Sequence, residues 1–342
     1  LVSEPLLRRL ADSSGEAVRV VTATVSERGR LGRVARGADD SVLGIVEASE
    51  EPGWSGAAEI NAGQYVFEAA WLWANLPMVE RSAKGEYYLT DLVARAIADG
   101  RRVGTVEADP NEVLGVDDRV KLAEAERLMR ARVLECHMLA GVTIADPATT
   151  YIDADVEIEP DVTLLASCHL QGRTRIAEGS TVGPGTTLRN AAIGRDCRVQ
   201  QSVIEESRIG NRVLVGPFAH IRGNADVGDD CYIGNYAEIK NSVVGPDVAM
   251  HHFSYMGDAD IGARANIAAG SITCNFDGVN KNRTVIGEDA FIGCDTMLIA
   301  PITIGAGAYT ASGAVVTKDV PAGERVAGVP ARPLPRKQPA AD

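Results

Sequence analysis

Five histidines and six cysteines are the side chains of this 342-residue sequence best suited to nucleophilic, acid–base or metal chemistry. The cysteines, Cys136, Cys168, Cys197, Cys231, Cys274 and Cys294, form no CxxC pair and are too sparse for a disulfide scaffold, so they read as reduced thiols. Of the histidines, His169, His220, His251 and His252 fall in the repetitive part of the chain described below. A zinc ion could gather three of them. His251 and His252 are adjacent, however, and neighbours on a strand point to opposite faces, which makes a three-histidine site awkward. A single neutral imidazole acting as a general base is the simpler use.

Charge narrows the partners. The formal net charge of −13 counts against a nucleic-acid backbone, which needs a basic face to displace counterions. Any anionic substrate must be met by a local basic cluster. With 45% hydrophobic and 24% charged residues the chain has a globular composition, and no apolar run approaches the roughly 20 residues of a membrane span. A soluble, cytoplasmic protein without membrane insertion is expected. The opening LVSEPLLRRLADSSGEAVRV has neither the charged start nor the apolar stretch of a signal peptide. It also lacks a starting methionine, which reads as a fragment of a longer gene product.

The elements that must position these side chains come from a repeat. Ile209, Val215, Ile221, Val227, Ile233 and Ile239 are aliphatic at an unbroken spacing of six, and four of them precede glycine. The register resumes at Val244, Met250 and Met256, at Ile261 and Ile267, and at Ile286, Ile292, Leu298 and Ile304; Ile176, Val182 and Leu188 obey it earlier. A period of six fits a triangular coil with one short strand per side, one inward aliphatic residue per strand, and a small residue easing the backbone through each corner. A left-handed parallel β-helix is expected over 141–330. On its strands Glu238 and Lys240 flank the inward Ile239 and so share an outer surface. The widest break in the period, Thr273 to Ile286, is polar, holds a DG turn pair and is the first candidate for a lid.

The preceding residues differ in kind. Strand-like VRVVTATV and VLGIVEA alternate with helix-like LTDLVARAIADG, which predicts an α/β domain over 1–118. Val120, Ala123, Leu128, Ala131 and Leu134 lie at helical spacing and predict a long amphipathic linker helix over 119–140. The Pro-rich, polar end, 331–342, predicts a disordered tail.

The strings GPFAHIRGNADVG, IGNYAEIKNSVVG, HHFSYMGDADIG and NIAAGSITCNFDGVNK, with GIVEASE, EINAG, GEYYLTD and GVDDR in the first half, resemble a known family. It is the bacterial bifunctional N-acetylglucosamine-1-phosphate uridylyltransferase/glucosamine-1-phosphate N-acetyltransferase. The resemblance runs over nearly the whole chain. It implies transfer of an acetyl group from acetyl-CoA to the amine of glucosamine 1-phosphate, in cell-envelope precursor synthesis, by a homotrimer. Carried over by position, it implies His252 as base with Glu238 as its carboxylate partner. Arg222, Lys240 and Lys281 would hold the phosphate, and Tyr255 and Asn266 the sugar. Ala269, through its backbone N–H, with Asn275, Cys294 and Ser312, would face acetyl-CoA.

Several positions depart from the family pattern. Phe276 stands where a tyrosine is expected, Cys294 where a serine is, and Gly328 where an arginine is, with Arg332 a possible substitute. In the first half, Gly32, Glu47 and Asn61 match nucleotide-sugar contacts, and Asp117 stands where the family has a metal-binding asparagine. The Gly-rich phosphate loop and the magnesium-binding aspartate that open the family's uridylyltransferase domain are not in the sequence, so this domain reads as truncated and nucleotidyltransferase-like. Uridylyl transfer, and magnesium with it, is expected only of a complete parent. Alternatives are a degenerate, binding-only scaffold, an acetyltransferase for another anionic aminosugar and, far behind, a carbonic-anhydrase-type zinc hydratase.

Overall fold

The computed structural model describes residues 1–333 apart from 13, 14, 28, 83 and 84. Two compact units divide the chain, Leu1–Met129 and Arg130–Asp342. In the first, strands β1 (Val18–Val25), β2 (Arg33–Arg36), β3 (Val42–Val46), β4 (Ala58–Phe67) and β5 (Val103–Glu107) form one sheet in the order β3-β2-β4-β1-β5. Only the β1–β5 pairing is parallel. β1 is buried along most of its length because helices cover both of its faces. Helix α1 (Glu4–Ala11) sets Leu6 and Leu10 against Val21 and Val106. Helices α2 (Ala69–Asn75) and α3 (Asp91–Ala98) set Trp71, Leu92, Val93 and Ala96 against Val18, Val34 and Val42.

Helix α4 (Arg119–Leu139) runs from one unit into the other. Its expected apolar stripe is largely solvated. Val120 is exposed, and only Leu134 is buried, packed with Val133 onto the first turn of the second unit. One end of a solenoid needs a lid one or two side chains wide, and among the described residues the rest of the stripe meets no such core.

The second unit is a left-handed parallel β-helix whose three faces are sheets of 12, 10 and 9 short strands. Face one includes Tyr232–Ile233, Ala249–Met250, Asn266–Ile267, Phe291–Ile292 and Tyr309–Thr310. Face two includes His220–Arg222, Ala237–Lys240, Ser254–Gly257, Ile272–Cys274, Met297–Ile299 and Val315–Val316. Face three includes Asp226–Val227, Val243–Val244, Ala259–Ile261, Thr284–Ile286 and Ile302–Ile304. Every aliphatic residue of the six-residue series is buried in one continuous core. The series skips Thr273 and Thr310, which also point inward. Thr273 Oγ1 accepts from the Gly257 N–H at 2.8 Å and donates to its carbonyl at 2.9 Å, while Thr310 Oγ1 accepts from the Gly293 N–H at 3.0 Å.

The glycines after the aliphatic residues serve two ends: Gly183 (φ 104°) and Gly216 (φ 103°) take the special backbone conformation that their position suggested, whereas others do not. Gly228 and Gly234 are not in the left-handed region; that conformation falls two residues later, on Asp230 (φ 60°) and Tyr236 (φ 57°). Glycine is required because successive turns approach closely. A Cβ on Gly228 would lie 2.8 Å from the Gly245 carbonyl carbon, and one on Gly234 would strike the His251 carbonyl.

Within the stretch expected to be a tail, Arg332–Pro333 fold back antiparallel onto Arg325–Ala327; residues 334–342 lie outside the described residues. Truncating one inward side chain, Ile239→Ala, is expected to cost about 2–5 kcal/mol. Gly228→Ala should cost about 1–3 kcal/mol through overpacking against backbone. Urea unfolding followed by circular dichroism checks both; two unaltered midpoints would refute the packing account.

Candidate active site

Strand register decides which residues meet. Tyr255, Ile272, Met297 and Val315 are successive partners on face two. His252, Ala269, Cys294 and Ser312 each stand three residues before one of them, on the corner between faces one and two. They therefore form a single column, one residue per turn. His252, Cys294 and Ser312 are exposed and Ala269 is half-buried. Among the described residues the N–H groups of Ala269, Cys294 and Ser312 have no hydrogen-bond partner, and neither does the imidazole of His252. The column ends at Gly328, since Thr310 pairs with Val326, and Arg332 lies next to it through its pairing with Ala327. His252 thus shares one edge of the prism with three of the acetyl-CoA candidates, Ala269, Cys294 and Ser312, while Asn275 lies at the other edge of face two.

Face two carries the next group. Arg222 is the partner of Lys240, and Glu238 that of Tyr255. Glu238 does not bond His252. Its Oε1 accepts from Arg222 Nε at 3.0 Å and Nη2 at 2.6 Å, so the guanidinium on the neighbouring strand, and not the imidazole on the corner, is its partner. The reason is reach, because both side chains rise from the same face one strand apart. The pair is a third exposed, which makes it a positioning contact more than a stability term. His220 is held to Glu205 at 3.2 Å, and His251 packs its ring on Tyr232 with centroids 4.4 Å apart. Among the described residues no three His, Cys, Asp or Glu side chains converge as a metal requires.

The widest break in the period is an ordered loop leaving face two after Cys274 and rejoining face three at Thr284. Phe276 and Lys281 pair across it, and Lys281 Nζ lies 5.0 Å above the Phe276 ring centre. Asp277 accepts from the N–H groups of Val279 (2.8 Å) and Asn280 (2.7 Å) and from Asn282 Nδ2 (2.9 Å). These donors hold its pKa down to about 2. Asn275, at the loop's start, is buried beside Tyr255, with Nδ2 3.4 Å from the hydroxyl. Asn266 is set apart from these residues. It lies on face one, between Ala249 and Phe291, around the corner from Tyr255. One signal in the sequence went unused: Asn241, Asp258 and Asn275 recur at a spacing of 17 and stack on the far edge of face two.

In the first unit Gly32, Glu47 and Asn61 are neighbours. The Asn61 N–H donates to the Gly32 carbonyl at 2.8 Å, and a Cβ on Gly32 would lie 3.6 Å from Glu47 Oε2. Burial, with the Glu47 carboxylate nearby, pushes the Tyr65 hydroxyl beside them up to about 12. Asp117 belongs to a separate cavity of about 1010 Å³ with Arg30, Ile60, Asn111 and Lys121. Lys121 pairs with its carboxylate at 2.8 Å and lowers its pKa. Among the described residues no group of three His, Cys, Asp or Glu side chains gathers at Asp117.

Known proteins resemble this chain in sequence. The family model "Bacterial transferase hexapeptide (six repeats)" fits residues 206–241 and 283–318. "Bifunctional protein GlmU" of Geobacillus sp. strain WCH70 is 41% identical over 94% of this chain and 71% of its own length. The chain belongs to the GlmU family. GlmU of Kineococcus radiotolerans is 44% identical over 94% of this chain and 67% of its own, and GlmU of Streptomyces avermitilis 42% over 94% and 68%. Among solved structures, LpxA from Acinetobacter baumannii overlaps loosely, with a TM-score of 0.39 and 17% identity over 56% of this chain and 73% of its own. No helix among the described residues of this GlmU relative is long and apolar enough to cross a membrane.

The depressed pKa of Asp277 gives a prediction with a definite sign. A folded-state pKa of about 2, below the ordinary value near 3.9, means the carboxylate supports the loop at all pH values above that range. Loop order should persist at pH 5 and fade as pH falls through about 2. Hydrogen exchange over residues 277–282 measures this, and Asp277→Ala should raise exchange there at neutral pH; equal protection in the variant would contradict the assignment.

Proposed function

We propose that this protein acetylates the amine of glucosamine 1-phosphate with acetyl-CoA, giving N-acetylglucosamine 1-phosphate for UDP-N-acetylglucosamine synthesis. The observation that carries the reading is the corner column, where a free imidazole stands one turn from a free backbone N–H, beside a face bearing Arg222, Lys240 and Tyr255. The amine nitrogen attacks the thioester carbonyl carbon while His252 takes the ammonium-bound proton. The carbonyl oxygen gains charge and is met by the Ala269 N–H. The carbon–sulfur bond then breaks, and the imidazolium returns its proton to the CoA thiolate.

Arg222, Lys240 and Lys281 supply the local basic cluster that a phosphate needs in a chain of net charge −13. Glu238 acts here by fixing the Arg222 fork. The acetyl-CoA arm runs along Cys294 and Ser312, with Asn275 at the loop. Asn266 and Tyr255 flank a convex corner, so a second copy of the chain must close the site. A homotrimer suits this, and exposed Phe218 and Tyr236, whose rings stack, with exposed Phe253, are apolar surface for such a contact.

Free-thiol release from acetyl-CoA with glucosamine 1-phosphate as acceptor tests the proposal. His252→Ala should lower the rate by about 10²–10⁴-fold with the oligomer intact. No release by the folded, unmutated protein would sink it in favour of a binding-only scaffold. A second check uses the exposed Cys294, which should react with a maleimide and be shielded by acetyl-CoA; labelling at an unchanged rate in saturating acetyl-CoA would remove Cys294 from the binding surface.

A further inference from the structure

Asp258 directly follows the strand that bears Tyr255 and is only 7% exposed. A buried carboxylate forfeits its hydration and must recover it from donors. Here Oδ1 accepts from Asn241 Nδ2 and Oδ2 from Asn275 Nδ2, each at 2.5 Å. Its backbone is engaged as well. The N–H donates to the Lys240 carbonyl at 3.0 Å, and the carbonyl accepts at 3.0 Å from the N–H of Thr284, the residue at which the loop rejoins the coil. Asn275 is the residue at which the loop leaves. Both ends of the loop are therefore tied to this one aspartate. The Arg283 guanidinium, paired with Asp260, is close enough to feel the Asp258 charge.

The chemistry of the contact fixes an orientation. A carboxylate has no proton to give, so both asparagines must turn their Nδ2 groups toward it. The Asn275 amide is then locked with Oδ1 facing away, and Nδ2 also lies within reach of the Tyr255 hydroxyl oxygen. That oxygen accepts, which leaves its own hydrogen for an acceptor elsewhere.

We propose that Asp258 is a positioning residue that sets the hydrogen-bond polarity of the site, so that the loop offers a bound ligand an acceptor at Asn275 and a donor at Tyr255. This rests on reading face two as the acetyl-acceptor surface. The ligand then brings an N–H or O–H to Asn275 Oδ1 and an oxygen acceptor, such as a phosphate or hydroxyl oxygen, to Tyr255. A neutral amide at 258 would destroy the arrangement, since one carbonyl oxygen cannot accept on both sides and its own Nδ2 would meet a second donor.

Two variants of the full chain test this, Asp258→Asn and the exchange Asp258→Asn/Asn275→Asp, which restores carboxylate-to-amide pairing with the partners swapped. Hydrogen exchange is followed over residues 275–284 and over the inward aliphatic positions, together with steady-state acetyl transfer. Asp258→Asn should raise loop exchange about tenfold or more, with the core still protected, and lower kcat/KM about 10–100-fold. The exchange variant should return loop protection to within about threefold of the unmutated chain. Unchanged loop exchange in Asp258→Asn, or an exchange variant no better than the single one, overturns the proposal. Should the single variant fail to fold, folding of the exchange variant supports it and failure of both overturns it. If even the unmutated chain transfers no acetyl group, the functional reading falls, while the exchange comparison still decides the role of Asp258.

Discussion

One constraint carries the second unit: an inward residue every sixth position, stacked on its counterpart one turn away at the roughly 4.8 Å spacing of paired strands. A slip by one residue would turn the whole ladder outward, so the register is fixed by burial. Once it is fixed, every outward position also has an assigned neighbour above and below. The corner column, the Arg222–Glu238 contact and the Asn241–Asp258–Asn275 stack all follow from that single requirement.

The period itself was legible in the sequence because aliphatic residues advertise it. Its physical cause was only half legible. The glycine following Ile233 looks like a conformational device, yet it is there to let the His251 carbonyl of the next turn come close, and Tyr236 takes the left-handed conformation instead. Inward threonines were invisible to an apolar pattern, although Thr273 occupies the same ladder and satisfies its hydroxyl against Gly257. In the first unit, alternation of strands and helices gave the class, but nothing in single strands foretells that β4 inserts between β2 and β1. For α4, spacing suggested a buried stripe, and only a neighbour could have supplied one.

For the candidate site, resemblance supplied residue types and positions, while partnerships needed coordinates. Glu238 could have answered to His252, Lys240 or Arg222 on chemistry alone, and geometry chose Arg222. Asp258 sits in an ordinary-looking GDAD corner, and only its burial between two amides sets it apart. Asn266, assigned to the same sugar as Tyr255 by resemblance, lies on another face of the prism. A prism with convex edges cannot gather side chains from two of its faces by itself.

The column from His252 to Gly328 also behaves as a ruler. Its marks are turns of the coil, so a functional group can shift along the edge only in whole strand spacings, and without disturbing the core behind it. Under the proposed function, a ligand lying there would be measured in units of one turn outward from His252, each further rung meeting a more distant part of the molecule. On that reading, Cys294, Ser312 and Gly328 are the rungs at which the length of ligand gripped could be retuned apart from the reacting end.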